Sequence, residues 1–184
     1  MNLGYFTFPI HPKKLSLWQT LKYDEEAIIY ADKLNFREVL IGEHVTDNYE
    51  KIVSNTLFIS NIISKTKNIK LGTGTVNLPN SHPVTVASNI SMLDHMSKGR
   101  MIFGIGPGSL VSDMEIYGTL EKNRQEMFME SISHILKLWT TNPPYNLKGK
   151  FWNISTKKTY DKKLSIGTVQ KPFQKPFPEI IVTS

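Results

Sequence analysis

Residues 71–108, LGTGTVNLPNSHPVTVASNISMLDHMSKGRMIFGIGPG, decide the fold. The apolar, glycine-punctuated run from Ile69 to Val76 reads as a buried strand that ends in the polar turn Asn77-Leu78-Pro79-Asn80-Ser81. Pro83 then opens a helix, because a first turn has no use for the N–H that proline lacks. Val86, Ile90 and Leu93 recur at i, i+4 and i+7, so this helix has one apolar face. Ser97-Lys98-Gly99 stops it. Arg100 to Ile105 forms a second buried strand that runs into the glycine loop Gly106-Pro107-Gly108-Ser109. Strand, helix and strand joined by short polar turns make a parallel βαβ unit, with a right-handed crossover expected. Both strands end in small or polar residues, where ligands gather in α/β proteins.

The same alternation continues on either side. Residues 2–8 read as a first strand, followed by a helix over roughly 22–34 in which Ala27, Ala31 and Leu34 share a face and Asn35 makes a left-handed stop. Phe36 to Ile41 forms a second strand ending in Gly42-Glu43-His44. A helix near 54–66 follows, capped by Ser54, with the apolar stripe Phe58, Ile59, Ile62 and Ile63. Beyond Gly108 a loop leads to a long helix, about 121–139, whose Phe128, Ile132, Ile135 and Trp139 share a face until Pro143-Pro144 ends it. Residues 145–178 read as an inserted excursion with a small hairpin and strand-like pieces at 149–154 and 164–168. Glu179 to Thr183 is a fifth buried strand.

This order defines an α/β protein with a parallel sheet. An open doubly wound sheet and a (β/α)8 TIM barrel compete. A dinucleotide-binding sheet carries G-x-G-x-x-G after its first strand, whereas here the turn is Pro9-Ile10-His11-Pro12. The polar singularities instead follow successive strands, as His11, Glu43-His44, Asn77 and Gly106 to Ser109. One cluster per strand end is how a barrel builds a site, so the barrel is favoured. A whole barrel takes about 250 residues. Residues 1–184 are therefore expected to be the N-terminal part of such a domain, supplying about five strands and inactive alone.

Composition narrows the function classes. The 184 residues contain no cysteine, so disulfides and thiolate chemistry are excluded. No apolar run is long enough to span a membrane, and the N-terminus lacks the plan of a signal peptide. A cytoplasmic location follows as the expectation. The formal charge of +6 rests on 22 basic residues, of which only Arg37, Arg100 and Arg124 are arginine. The lysines are scattered and no recognition motif accompanies them, so they read as solvated surface rather than a nucleic-acid site.

Few residues carry chemistry on their own. Gly104-Ile-Gly106-Pro-Gly108-Ser could cradle a phosphate through its backbone N–H groups, or be a plain tight turn. His44 is a candidate acid–base group with Glu43 beside it, or a structural histidine. His82 precedes a helix and His95 lies on one, which makes them weaker candidates. Asn77 could meet a ligand's amide edge or make its own turn. Arg124 could reach a phosphate or pair with Glu121 or Glu126. No ligand spacing points to a metal.

Taken together, NLGYFTF, the GEH of 42–44, KLGTGTVNLPNSHP at 70–83, MLDHMSKGRMIFGIGPG at 92–108 and QKPFQKPFPEIIVTS at 170–184 resemble the bacterial-luciferase-like flavin monooxygenases. The likeness is to the limonene- and alkane-hydroxylating branch. It implies a (β/α)8 barrel and reduced FMN supplied by a separate flavin reductase, with dioxygen used to oxygenate a small organic substrate. It also implies a homo-oligomeric full-length form. His44 matches the family's acid–base histidine. Gly106 and Pro107 stand where light-emitting members carry a reactive cysteine and a phosphate-binding arginine, which argues against light emission. The phosphate contact then falls to Arg124 and Ser184. Gly74–Thr75 lies where relatives hold a non-prolyl cis peptide under the flavin. Phe6, Leu78 and Met92 would supply apolar walls, Asn77 a polar edge, and Gly106 and Gly108 the later loop. Relatives that use a deazaflavin coenzyme for hydride transfer, and non-catalytic flavin binders, remain alternatives.

Overall fold

The computed structural model describes residues 3–8 and 10–183. The chain runs β1 (Gly4–Thr7), α1 (Leu17–Lys33), β2 (Glu38–Ile41), α2 (Asn55–Ile62), β3 (Lys70–Thr73), β4 (Val76–Asn77) and α3 (Pro83–Met96). It continues through β5 (Met101–Gly106), α4 (Val111–Ile116), α5 (Arg124–Thr140), β6 (Asn146–Leu147), β7 (Ile154–Ser155) and β8 (Glu179–Val182). β1 pairs with β2, β2 with β3, β3 and β4 with β5, and β5 with β8, all parallel. Spatial order therefore follows chain order, without the reversal that defines a doubly wound sheet. No helix among the described residues is long and apolar enough to cross a membrane.

The single strand expected over Ile69–Val76 is interrupted. Gly72 lies opposite Ile102 and Val76 opposite Ile105, so one extra residue is accommodated between β3 and β4. This is the geometry of a bulge, which bends a strand and re-aims its side chains. The interruption contains Gly74–Thr75, whose peptide bond is cis, as the resemblance implied. Beside it β5 comes unusually close. A Cβ on Gly104 would sit 1.9 Å from the Thr73 carbonyl oxygen. Instead the Thr73 hydroxyl donates to Gly104 O at 2.7 Å and accepts from Gly104 N at 2.9 Å.

The helices follow from local chemistry, with corrections. α1 starts well before residue 22, because Ser16 and Gln19 form a capping box around its first turn. Its buried face carries Ile28 and Ala31, whereas Leu34 is 54% exposed and Ala27 lies outside. The bulkier Leu21–Ile28 row, which meets the core, outweighs the alanine row. Asn35 takes φ 59° as expected. Ser54 caps α2 by accepting from Leu57 N, and His82 caps α3 by accepting from Val84 N. α5 begins at Arg124 because Asn123 caps it. α4 lies in what the sequence presents as loop, being too short for periodicity to reveal.

The excursion at 145–178 holds one antiparallel pair, β6 with β7, and an isolated bridge between Asp161 and Ile166. The strand-like pieces expected at 149–154 and 164–168 shrink to these. Glu130 on α5 accepts from the backbone N–H groups of Lys150, Phe151 and Trp152, which holds the excursion by its backbone rather than as sheet. Gln174 fastens its far end, donating to Asp94 at 2.7 Å and to Met101 O at 2.9 Å.

At the end of the sheet where β3 and β5 begin, Asp32 organises the turn before β3. Its carboxylate accepts from Lys67 N and Ile69 N at 2.7 Å and from Asn68 N at 2.9 Å. Burial opposes this charge, but the three N–H groups and nearby Arg100 outweigh it and hold the carboxyl below its usual range. The stabilisation is thus present above the ordinary aspartate pKa and is lost as pH falls through the lowered one. Asp32→Asn keeps one acceptor oxygen but turns an NH2 group toward a backbone donor. It is expected to cost about 2–3 kcal/mol in urea denaturation at neutral pH, with the difference from wild type narrowing in acid.

Candidate active site

The ends of β1, β2, β4, β5 and β8 converge on a cleft of about 270 Å³ lined by Phe6, Phe8, Glu43, His44, Thr75 and Asn77, with Gly74, residues 107–109 and Thr183. Larger hollows lie between α1 and α2 (about 570 Å³) and around Arg100 at the opposite end of β5 (about 750 Å³), but neither gathers the C-terminal ends of the strands. Convergence of strand ends is the physical reason to place chemistry in the smaller cleft. His11, expected in the same ring, turns away to pair with Asp24 of α1 at 3.1 Å.

His44 sits between two carboxylates. Its Nδ1 lies 3.0 Å from Asp113 Oδ2 and its Nε2 lies 3.6 Å from Glu50 Oε2. Asp113, from α4, also accepts from Thr46 N at 2.9 Å and from the Thr46 hydroxyl. Burial works against the Asp113 charge, but the hydrogen bonds from Thr46, His44 and Val45 hold its carboxyl below the ordinary range. An ionised carboxylate only accepts, so His44 donates to Asp113 from Nδ1–H, and its Nε2 faces Glu50. Glu50 is shifted the other way, upward, by burial and by Asp47 and Asp113, with His44 opposing. Phe8 stacks on the imidazole with ring centroids 6.1 Å apart.

Glu43 faces the same cleft. Its carboxylate accepts from Asn55 N at 2.9 Å at the start of α2. Burial pushes its pKa up to about 7 despite that hydrogen bond and the nearby His44, and Asp113 adds to the rise. Asn55 is fully buried, and its amide donates to Ile41 O and to Thr75 O, both at 3.2 Å. One side chain thus ties the end of β2 to the carbonyl that follows the cis bond.

The other expected residues divide. Gly74, Thr75, Asn77 and Gly108 line the cleft, and the Thr75 hydroxyl donates to Asn77 Oδ1 at 3.3 Å. Gly106 is packed beneath it. A Cβ there would lie 2.7 Å from Thr183 Oγ1 and 2.9 Å from Thr75 Oγ1. Arg124 makes neither expected ion pair. Its Nη1 donates to Gly108 O at 2.6 Å, while Glu126 engages Lys150 and Asn123. It therefore meets the cleft through the glycine loop, which passes through φ 82° at Gly108. Ser184 lies outside the described residues. Of the expected walls only Phe6 is in place. Leu78 is wholly buried in the core, and Met92 is 65% exposed on the outside of α3. Leu78 is drawn into the core by the short turn of residues 78–80, and Met92 lies on the face of α3 opposite the buried row Val86, Ile90 and Leu93.

Asp113, Glu50, Phe8 and Thr183 were not singled out by the sequence. A Cβ on Gly42 would lie 2.4 Å from Phe8 Cδ1, so the glycine before Glu43-His44 makes room for that ring. Asp113 is 69 residues from His44, and no local pattern joins them.

The luciferase-like monooxygenase family matches residues 1–181. Limonene 1,2-monooxygenase of Rhodococcus erythropolis is 38% identical over 118 residues, which are 64% of this chain and 30% of that protein. The oxygenase component of the flavin-dependent trigonelline monooxygenase of Acinetobacter baylyi is 31% identical over 185 residues, covering 97% of this chain and 48% of that one. The oxygenating constituent of 3,6-diketocamphane monooxygenase from Pseudomonas putida, solved in complex with FMN, superposes with a TM-score of 0.91 at 27% identity, over 100% of this chain and 51% of its own. The chain belongs to the luciferase-like monooxygenase family, and it spans about half or less of the length of these relatives.

If Asp113 fixes the His44 tautomer, Asp113→Asn should release it, because the amide can donate as well as accept. ¹⁵N spectra of the imidazole are expected to show the proton on Nδ1 in the wild type and a mixture of tautomers in the variant. An unchanged Nδ1–H tautomer in the variant would leave Asp113 as scaffold only.

Proposed function

We propose that this member of the luciferase-like monooxygenase family is the flavin-holding part of an oxygenase that uses reduced FMN and dioxygen to oxygenate a small organic substrate. The parallel sheet is read as the first five staves of a (β/α)8 barrel, consistent with its sequential strand order. A separate reductase supplies the reduced flavin. A relative named as the oxygenase component of its system supports that division of labour.

The observation that carries the reading is the cleft itself, with its aromatic wall, polar edge and glycine floor. A flavin needs apolar contact for a flat ring, partners for an amide edge, and a place for its phosphate. Phe6 and Phe8 meet edge to face with centroids 4.8 Å apart and form the wall. Asn77 and Thr75 form the polar edge. A Cβ on Gly74 would come within 3.0 Å of Phe6 Cε2 and 3.2 Å of Ile41 N, so glycine keeps this floor free of crowding. The later loop, tied down by Arg124 through Gly108, is where a phosphate would be held. The cleft's 270 Å³ falls just under the roughly 300–1,000 Å³ of complete ligand pockets. It suits part of a cofactor, whose remaining walls lie elsewhere.

Bound reduced FMN would supply the electrons that activate dioxygen. The residues of this chain bind it, orient it, exclude water and handle protons. His44 would exchange a proton at Nε2, with Asp113 holding the ring from Nδ1.

Two measurements test this. FMN titrated into the chain should quench flavin fluorescence but with affinity weaker than micromolar, and a deazaflavin should bind less well. Preference for the deazaflavin would move the reading to hydride transfer. In the full-length enzyme driven by a reductase, His44→Ala is expected to lower product formation by about 10²–10⁴-fold with little change in FMN affinity. Normal turnover would return His44 to a structural role.

A further inference from the structure

Behind the cleft, between α2, α3 and the residues following α4, lies a second cavity of about 180 Å³. Ser54, Asn55, Ser81, Thr85, Asn89 and Tyr117 give it hydroxyl and amide groups. Thr85 and Asn89 are exposed, so the cavity opens to solvent on the outer side of α3. Among the described residues Glu43 alone lines both this cavity and the cleft. We propose that Glu43 is a proton-carrying residue that joins the cleft to solvent, taking a proton from water on the cavity side and releasing it on the cleft side. That the proton serves a flavin reaction rests on the function proposed above.

Geometry favours Glu43 over its neighbour for this task. Both nitrogens of His44 face carboxylates, Asp113 at 3.0 Å and Glu50 at 3.6 Å, so its proton traffic is directed along that line. Among the described residues the Glu43 carboxyl takes a single hydrogen bond, from Asn55 N at 2.9 Å. A polar space of this size admits several waters with partners on its walls. The groups facing Glu43 are His44 on its own strand end, Asp113 on α4, the Tyr117 hydroxyl beyond α4, and the Asn55 N–H at the start of α2. Burial, reinforced by Asp113, raises its pKa to about 7, so both protonation states are populated near neutrality. That is the condition under which a carboxyl group moves protons efficiently. The other role open to Glu43 is to anchor the N-terminus of α2 as an anion. Glu43→Gln separates the two, because an amide oxygen still accepts from Asn55 N but carries no exchangeable acid proton.

The test uses the chain itself, ¹³C-labelled at its glutamate carboxyls and followed by NMR across pH. One carboxyl should titrate near pH 7 and be missing from Glu43→Gln, whose thermal melting at low pH should match the wild type. Thr85→Leu fills the polar cavity, and Asn89→Leu narrows its mouth without entering the helix packing. At least one of them should slow proton exchange at Glu43, broadening its resonance near the midpoint. A Glu43 carboxyl that titrates among ordinary surface glutamates overturns the proposal. So does exchange indifferent to both leucine variants. Neither readout needs bound flavin. Failure of FMN to bind would sink the function proposed above and leave this one standing, while an ordinary Glu43 in a chain that binds FMN would do the reverse. In the full-length enzyme, Glu43→Gln should also lose the limb of the pH–rate profile near neutrality and turn over at least tenfold more slowly there. An unchanged profile would overturn the role.

Discussion

One extra residue between β3 and β4 is the constraint on which the site depends. Were the strand regular, Thr75 and Asn77 would continue the alternation of Leu71 and Thr73, and the carbonyl after Gly74 would be committed to the ladder. The bulge frees that carbonyl, and Asn55 reaches from α2 to take it together with Ile41 O. Glu43 in turn accepts the Asn55 backbone N–H. A register defect in one strand is thereby fixed by a buried amide, which is fixed by a carboxylate at the cleft wall. Because buried polar groups need partners, each link in this series makes the next costly to change.

Three carboxyl groups around one imidazole divide into opposite kinds. Asp113 is saturated with donors and its carboxyl is held low, whereas Glu43 and Glu50 have few donors and burial shifts both upward. Paired sites whose environments drive their pKa values apart are how one pocket can hold both a fixed charge and a mobile proton near neutral pH. The difference is set by the backbone. Asp113 sits where the Val45 and Thr46 N–H groups point at it, and Glu43 receives a single N–H. α4, only six residues long, buries Asp113 together with Met114.

What the sequence revealed and what it hid follow the range of the forces involved. Strand and helix alternation, the Ser54 cap, the Asn35 stop and the apolar stripe of α2 are local, and residues a few positions apart determine them. The order of strands was legible because the first turn lacks the glycines a dinucleotide fold requires. Leu78 was misplaced as a cleft wall because a one-residue bulge and the turn after it redirect the chain, and no pattern of residue types announces a bulge. Met92 was misplaced because it lies off the buried Val86, Ile90 and Leu93 row of α3. Asp113 and Glu50 were missed for a different reason. Their meaning comes only from His44, and contacts between distant segments leave no periodicity. Arg124 was read as a phosphate ligand or a surface ion pair; it makes no pair with Glu121 or Glu126 and braces the glycine loop through Gly108 O, a backbone contact that residue identity cannot foretell.

The cleft and the sheet are open on the same sides. Among the described residues β1 and β8 are the outer strands, and each presents an unpaired ladder together with exposed apolar side chains, Phe6 at 50% and Val182 at 58%. Parallel sheets ordinarily have both faces covered and seldom leave such edges bare. Phe6 is also the wall of the cleft, and Thr183, next to Val182, stands at its rim. Whatever covers these edges therefore also completes the walls of the site. On this geometry the described residues supply the aromatic wall, the polar edge and the floor of the cleft.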